Sequence, residues 1–133
     1  MHKYIDQLNE AQREPVLQKD GPMIIIAGAG SGKTRVLTIR IAYLMSQGID
    51  AFSILSLTFT NKAAREMRSR IEEMLQISSH GMWVGTFHGL AHRLLKAHWQ
   101  DAGLPQNFQI LDSDDQLRLV KRVCRDLGLD ESR

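Results

Sequence analysis

The chain has 133 residues, with 17 Lys and Arg against 15 Asp and Glu for a formal net charge of +2, and 43% hydrophobic, 24% charged and 6% aromatic residues. This is the composition of an ordinary soluble globular domain with a modest core, or of a piece of a larger one, and the small net charge does not by itself point to nucleic acid. A lone cysteine, Cys124, excludes an internal disulfide framework and a cysteine-based zinc site; apolar runs such as Met23–Ala27 are far too short to span a bilayer; and without a signal-peptide pattern a cytoplasmic location with no membrane contact is the default expectation.

In chain order, a first helix opens near Leu8–Gln12, with Asn9 at the N-cap and Gln12 at the capping-box position, and Pro15 is expected to kink or end it. Met23-Ile24-Ile25-Ile26-Ala27 is rich in β-branched residues and reads as a buried strand. Gly28–Gly32 breaks that pattern, and an apolar-rich helix follows from about Lys33 to Gln47, with Gly48 as its stop. Ser53–Thr58 reads as a second strand. Asn61 is expected to cap a third helix, in which Ala63, Met67, Ile71 and Met74/Leu75 recur at helical spacing and Glu66 pairs with Arg70 at i,i+4. Met82–Thr86 is a third strand. Phe87, Leu90, Ala91, Leu94 and Leu95 form one stripe of the next helix, which Gly103–Pro105 ends. Asp112 caps a final helix with Leu117, Val120, Cys124 and Leu127 towards a core and Arg118, Lys121, Arg122 and Arg125 towards its polar side. The alternation of strands and helices argues for an α/β fold with a mainly parallel sheet flanked by helices. Three strands make a thin parallel sheet, whose faces and flanks need cover, so the fold is expected to be incomplete.

Chemistry concentrates in Ala27-Gly28-Ala29-Gly30-Ser31-Gly32-Lys33-Thr34, placed between an expected strand and an expected helix. That is the context of a phosphate-binding Walker A loop. Glycines let the backbone curl so that successive N–H groups converge on phosphate oxygens, and the helix start adds unsatisfied N–H groups and partial positive charge. Lys33 can neutralise the β- and γ-phosphates, and the Thr34 hydroxyl can join the shell of a Mg²⁺ ion. Ala27 stands where the pattern has its first glycine. His88 and His92 are four apart, but the metalloprotease pattern needs Glu where Gly89 stands and no third ligand is evident.

Around this loop the chain resembles the superfamily 1 DNA helicases of the UvrD/PcrA/Rep type, and most closely the UvrD branch. Leu8-Asn9-x-x-Gln12 resembles their Q motif, and Ala27–Thr34 with Arg35 their motif I. Leu57-Thr58-Phe59-Thr60-Asn61-Lys62-Ala63-Ala64-Arg65-Glu66-Met67 resembles motif Ia, and Val84-Gly85-Thr86-Phe87-His88 motif Ib. Gly81–Leu95 and Phe108–Leu119 also resemble the family, so the likeness covers nearly the whole chain; Pro15 departs from the small residue usual after the Q motif. The resemblance implies a RecA-like P-loop NTPase fold, with residues 1–87 as the opening of motor domain 1A and 88–133 as the start of the helical insertion 1B. It implies ATP with Mg²⁺ as cofactors, held by Gln12, Ala27, Gly28, Ala29, Gly30, Ser31, Gly32, Lys33, Thr34 and Arg35, with Lys33 and Thr34 catalytic. Gln12 would read adenine, unless its amide only closes the capping box, since the two uses compete. Arg35 would approach the base or sugar, or else lie solvated on a helix face; Arg70 could also approach the nucleotide, or simply pair with Glu66.

The same resemblance implies that Phe59, Thr60, Asn61, Thr86, Phe87 and His88 meet single-stranded DNA at the strand ends, where ligands of open α/β sheets bind. Aromatic stacking suits a translocase because every base has a π-face. Strand alternation puts Leu55, Leu57 and Phe59 on one side, which leaves Phe59 a core residue as the alternative. Lys62, Arg65, Arg68, Arg93 and Lys96 bias the middle of the chain towards positive charge, either as a solvated face or for phosphate tracking.

Hydrolysis by this mechanism also needs an acidic strand end and a positive charge on the γ-phosphate. Asp114-Asp115 sits at a helix start and reads as capping. The expectation is therefore the N-terminal segment of a longer ATP-dependent 3′-to-5′ DNA helicase acting on single-stranded and duplex DNA in repair and replication, with repair-protein partners and with little activity in residues 1–133 alone. The alternatives are the N-terminal part of a RecB/AddA-type helicase–nuclease and a non-catalytic nucleotide or single-strand binding module.

Overall fold

A computed structural model describes residues 1–129, so the last four residues of the expected helical insertion lie outside the described residues. The chain divides into two compact units, the first ending at Leu94 and the second beginning at Leu95. Helices α1 (His2–Asp6), α2 (Glu10–Leu17) and α3 (Lys33–Ser46) form one half of the first unit. They enclose a core of Ile5, Leu8, Val16, Val36 and Ile39. The capping box at α2 forms as the sequence predicts: Asn9 Oδ1 accepts from the Gln12 N–H at 2.9 Å, and Gln12 Oε1 accepts from the Asn9 N–H at 3.1 Å. Gly48, with φ +93°, follows α3 as the expected stop.

The other half is built as strand–helix–strand–helix. Strand β1 (Leu55–Thr58) pairs in parallel with β2 (Trp83–Thr86), in the register Leu55↔Trp83 to Thr58↔Thr86. Helix α4 (Asn61–Leu75) connects them, and α5 (Phe87–Ala97) leaves β2 directly. Ile41 of α3, Met67 and Ile71 of α4, Met82 and Val84 close a second core, so α3 serves both halves. The β1 face packed towards this core is polar. Ser56 and Thr58 are buried, with Ser56 Oγ donating to Met67 Sδ at 3.2 Å and Thr58 Oγ1 to the Thr60 carbonyl at 3.1 Å. Leu55 and Leu57, on the opposite face, are 62% and 38% exposed.

Arginines finish the outer edge of β2. Arg68 donates to the Val84 carbonyl, while Arg93 donates to the carbonyls of Met82 (3.0 Å) and Gly81 (2.8 Å) and lies 4.0 Å from the Trp83 ring centroid. Both guanidinium groups are thus tied to backbone carbonyls around β2, with Arg93 still exposed. Leu90 of α5 packs close over Gly85: a β-carbon there would sit 3.1 Å from its side chain, which would have to shift by a few tenths of an ångström. The turn from α4 to β2 is tied by Glu72, which accepts from the Ser79 hydroxyl (2.6 Å) and N–H (2.8 Å); these bonds, with Arg68 nearby, hold its carboxyl below the usual range.

Several expectations are corrected. Met23–Ala27 is not a strand of the sheet, which has two strands among the described residues rather than three. A parallel strand is held by its neighbours; β1 and β2 pair with each other and neither reaches this run, whose Ile24 and Ile26 remain 88% and 95% exposed. The second strand begins at Leu55, after a 3₁₀ turn (Ala51–Ser53) capped by Asp50, and the third at Trp83. Pro15 does not end α2, which runs on to Leu17; Arg40 of α3 donates to the carbonyls of Pro15 and Gln18 and so secures the helix end that proline weakens. Thr60, not Asn61, is the N-cap of α4, its Oγ1 accepting from the Ala63 N–H at 3.1 Å, and Ala64 rather than Ala63 is buried. The ion pairs among the described residues are His98–Asp101 and Asp115–Arg118, so Glu66 and Arg70 do not pair. Helix α5 stops at Ala97, well before Gly103, because a further turn, with Leu104 N–H to the Trp99 carbonyl (2.9 Å), takes over.

In the second unit, Asp112 caps α6 (Ser113–Asp126) as expected, accepting from the Asp115 N–H at 2.7 Å. The core expected beneath this helix is not there among the described residues: Leu117, Val120 and Leu127 are exposed and Cys124 is half-buried. No helix among the described residues is long and apolar enough to cross a membrane, and no His/Cys/Asp/Glu cluster among them has the form of a metal site.

Ile71 is fully buried in the core that joins α3, α4 and β2. Ile71→Ala should therefore cost about 2–5 kcal/mol and Ile71→Val about 0.5–1.5 kcal/mol, read from urea unfolding. Equal, small effects would show that this core is not the one that holds the sheet.

Candidate functional site

The glycine loop turns sharply before α3. The Ser31 N–H and Oγ both donate to the Gly28 carbonyl, at 3.3 and 2.6 Å, which closes the turn Gly28–Ser31. Gly30 and Gly32 have φ of +75° and +80°, conformations that L side chains rarely adopt. The first intrahelical bond of α3 runs from the Val36 N–H to the Gly32 carbonyl at 3.0 Å. The N–H groups of Gly32, Lys33, Thr34 and Arg35 thus have no intrahelical acceptor, and no side chain caps them. Lys33 and Thr34 are exposed beside them. Four orphan donors, the positive end of a helix dipole and an ammonium group concentrate positive potential at one point of the surface.

Gln12 reaches this loop from α2. Its Nε2 donates to the Ser31 carbonyl at 3.0 Å while its Oε1 keeps the capping-box bond to Asn9. Capping and loop contact therefore coexist. The carboxamide has two hydrogens and two lone pairs, so one of each is still available. Gln12, Ser31 and Lys33 share a cavity of about 190 Å³ with Pro15, Ile26 and Ala27.

Arg35 lies elsewhere. It donates to Gln7 Oε1 at 2.8 Å and lines a different cavity, of about 290 Å³, with Tyr4, Gln7 and Arg70. Gln12 and Arg35 are thus not brought into one pocket, whereas Arg35 and Arg70 are. Gln7 was not legible as a partner in the sequence, because its contact with Arg35 spans 28 residues.

The second group of candidate residues gathers at the C-terminal ends of the two strands. Thr58 and Thr86 are register partners, so the residues that follow them emerge side by side. Phe59 and Phe87 have ring centroids 5.6 Å apart at 42° and are 92% and 49% exposed. Phe59 is therefore not a core residue; the alternation that groups it with Leu55 and Leu57 is correct, but that side is the open one. Thr60 and Thr86 each cap the helix that follows, Thr86 Oγ1 accepting from the Gly89 N–H at 3.1 Å. Each hydroxyl still has its proton to donate. Asn61 and His88 are exposed beside them. Lys62 and Arg65 lie exposed in the first turns of α4. An apolar groove of about 390 Å³ runs beneath this edge, lined by Leu55, Leu57, Trp83, Phe87 and Leu94, and no single residue of the sequence announces it.

Residues 8–133 match the profile of the UvrD/REP helicase N-terminal domain. The chain is 60% identical to DNA helicase II of Escherichia coli (strain K12) over 128 residues, which cover 96% of this chain and 18% of that protein. It is 50% identical to ATP-dependent DNA helicase UvrD1 of Mycobacterium bovis over 97% of its length and 17% of the relative's. With ATP-dependent DNA helicase PcrA of Bacillus subtilis (strain 168) the identity is 45%, over 97% of this chain and 18% of the relative. The chain therefore spans less than a fifth of the length of these curated relatives.

The loop geometry depends on Gly32, where an added β-carbon would face both the positive φ and Gln12 Nε2 at 3.2 Å. Gly32→Ala should lower stability by about 1–2 kcal/mol in thermal unfolding. Gly28→Ala, where nothing lies within 4 Å of the added carbon, should leave stability nearly unchanged. The reverse order would contradict the loop conformation described.

Proposed function

The chain belongs to the UvrD/REP helicase family, and from that membership we propose that it forms the ATP-binding opening of the first motor domain of an ATP-dependent 3′-to-5′ DNA helicase. Residues 1–87 would begin the RecA-like domain, and residues from 88 onward a helical insertion. The observation that carries this reading is the set of orphan N–H groups at Gly32, Lys33, Thr34 and Arg35, presented by a loop with two left-handed glycines. When bound, Mg-ATP supplies the phosphoanhydride whose cleavage drives the motor, and Mg²⁺ offsets charge on its phosphates.

The residues fit that ligand. The N–H groups at the start of α3 bind phosphate oxygens, and the Lys33 ammonium balances the β- and γ-phosphate charge. The Thr34 hydroxyl is the side-chain ligand offered to Mg²⁺. Ala27, Gly28, Ala29, Gly30 and Ser31 form the curl that leads the backbone to the phosphates. Gln12 reads the purine edge with its remaining hydrogen and lone pair. Arg35, with Arg70 in the same cavity, approaches the base or sugar.

Single-stranded DNA would cross the strand ends. Phe59 and Phe87 offer stacking surface without base preference, and Thr60, Asn61, Thr86 and His88 offer hydrogen bonds to phosphate or sugar. The Thr58↔Thr86 register supports this, since it sets the two aromatic rings next to each other at the edge where ligands of open α/β sheets bind. Among the described residues no strand ends in an acidic pair, so activation of the attacking water is assigned to other parts of a longer motor working in the cytoplasm.

In the intact protein, Lys33→Ala should weaken Mg-ATP binding by at least about tenfold, the loss of roughly one charge-assisted interaction, measured by titration calorimetry. Unchanged affinity would contradict the phosphate assignment. Phe59→Ala should weaken single-strand binding by about 1–3 kcal/mol, alike on dA and dT homopolymers, with an unchanged circular dichroism spectrum. A loss confined to one base would point to sequence readout instead.

A further inference from the structure

We propose that Gln12 is a positioning residue for the phosphate loop as well as a reader of the base: its side-chain amide holds the Ser31–Gly32 peptide in the orientation that presents the Gly32 N–H to a phosphate. The inference rests on the phosphate-loop reading above and extends it to a residue outside the loop.

The geometry runs through one peptide plane. Gln12 Nε2 donates to the Ser31 carbonyl at 3.0 Å. The Ser31–Gly32 peptide bond is trans, so the Gly32 N–H points to the side opposite that carbonyl. Fixing the carbonyl towards α2 therefore fixes the N–H away from α2. Ser31 is pinned from its other end as well, where its N–H and Oγ hold the Gly28 carbonyl. Gln12 is the residue outside the loop that restrains this peptide. Without it, a peptide flanked by Ser31 and the left-handed Gly32 rotates at little cost, because glycine adopts either sign of φ readily. A flipped plane would turn a carbonyl dipole, rather than an N–H, towards the anion.

Gln12 is itself held. The Asn9 N–H donates to its Oε1 at 3.1 Å, and Asn9 Oδ1 accepts from the Gln12 N–H at 2.9 Å, so the capping box sets the angle from which the side chain reaches Ser31. Glycine at position 32 permits the approach, since a β-carbon there would meet Nε2 at 3.2 Å. One hydrogen and one lone pair of the carboxamide remain for a purine edge. A base bound there and a phosphate bound at Gly32 would then share one rigid group, which couples recognition of the two ends of the nucleotide.

A base-free ligand separates positioning from base reading. Titration calorimetry on the intact protein with inorganic tripolyphosphate plus Mg²⁺, and with Mg-ATP, compares wild type with Gln12→Met, a neutral side chain of similar size that makes neither hydrogen bond. The proposal predicts a loss of about 3- to 10-fold in tripolyphosphate affinity, and a larger loss for ATP. Asn9→Ala, which breaks the other half of the capping box, should lower the thermal midpoint with a smaller effect on tripolyphosphate. Three results would overturn the proposal: tripolyphosphate affinity unchanged in Gln12→Met while ATP affinity falls, which leaves Gln12 a base reader only; wild type binding ATP but not tripolyphosphate; and Asn9→Ala reproducing the full Gln12→Met loss, which reduces the effect to helix capping. Wild type binding neither ligand would remove the phosphate-loop reading itself, and this inference with it.

Discussion

Four backbone N–H groups at the start of α3 have nowhere inside the helix to donate. Most helices answer this with a capping side chain, as Asn9, Thr60 and Asp112 do for α2, α4 and α6. Here the N-cap is Gly32 in a left-handed conformation with no side chain to offer. The free energy that a cap would recover is left available to an external anion, and the surrounding structure keeps it so. Two hydrogen bonds close the turn from Gly28 to Ser31, Gln12 reaches in from α2, and α3 itself is anchored by two hydrophobic cores, one on each side. The result is a helix packed on both sides whose start is left uncapped.

The strand ends repeat a simpler device. Each strand finishes in a threonine, and a threonine hydroxyl, that of Thr60 just past β1 and of Thr86 at the end of β2, caps the next helix. Parallel pairing then forces the residues beyond the strands to emerge together, which is why Phe59 and Phe87, distant in sequence, form one exposed aromatic pair. Capping consumes only the acceptor side of each hydroxyl, so the same turns that build the helices keep donors for a ligand. The basic residues of α4 and α5 divide their work: Arg68 and Arg93 hold carbonyls at the edge of β2, while Lys62 and Arg65 lie exposed in the first turns of α4.

Much of this was legible in the residues, and the failures have a common cause. Local chemistry read well: the Asn9–Gln12 capping box, the break at Gly28–Gly32, the helix from Lys33 with its Gly48 stop and the Asp112 cap each depend on residues within a turn of one another. What depended on neighbours in space did not. Met23–Ala27 has the composition of a buried strand but no pairing partner among the described residues, and Leu117, Val120 and Leu127 have the spacing of a core stripe yet are exposed. Alternation grouped Leu55, Leu57 and Phe59 correctly yet gave no sign of which face is packed, because the packed face carries Ser56 and Thr58, satisfied by bonds that sequence does not reveal. Gln12 was readable as a cap; its bond to Ser31, across 19 residues, was not.

Nucleotide binding by this chain turns on where a triphosphate sits. A crystal structure of the intact protein with Mg²⁺ and a non-hydrolysable ATP analogue tests this most directly. The expected result is phosphate oxygens within hydrogen-bond reach of the Gly32, Lys33 and Thr34 N–H groups, the Lys33 ammonium alongside them, and the Ser31 carbonyl still turned towards Gln12. Triphosphate bound away from the start of α3, or a loop whose Ser31 carbonyl has turned in towards the phosphates, would contradict it.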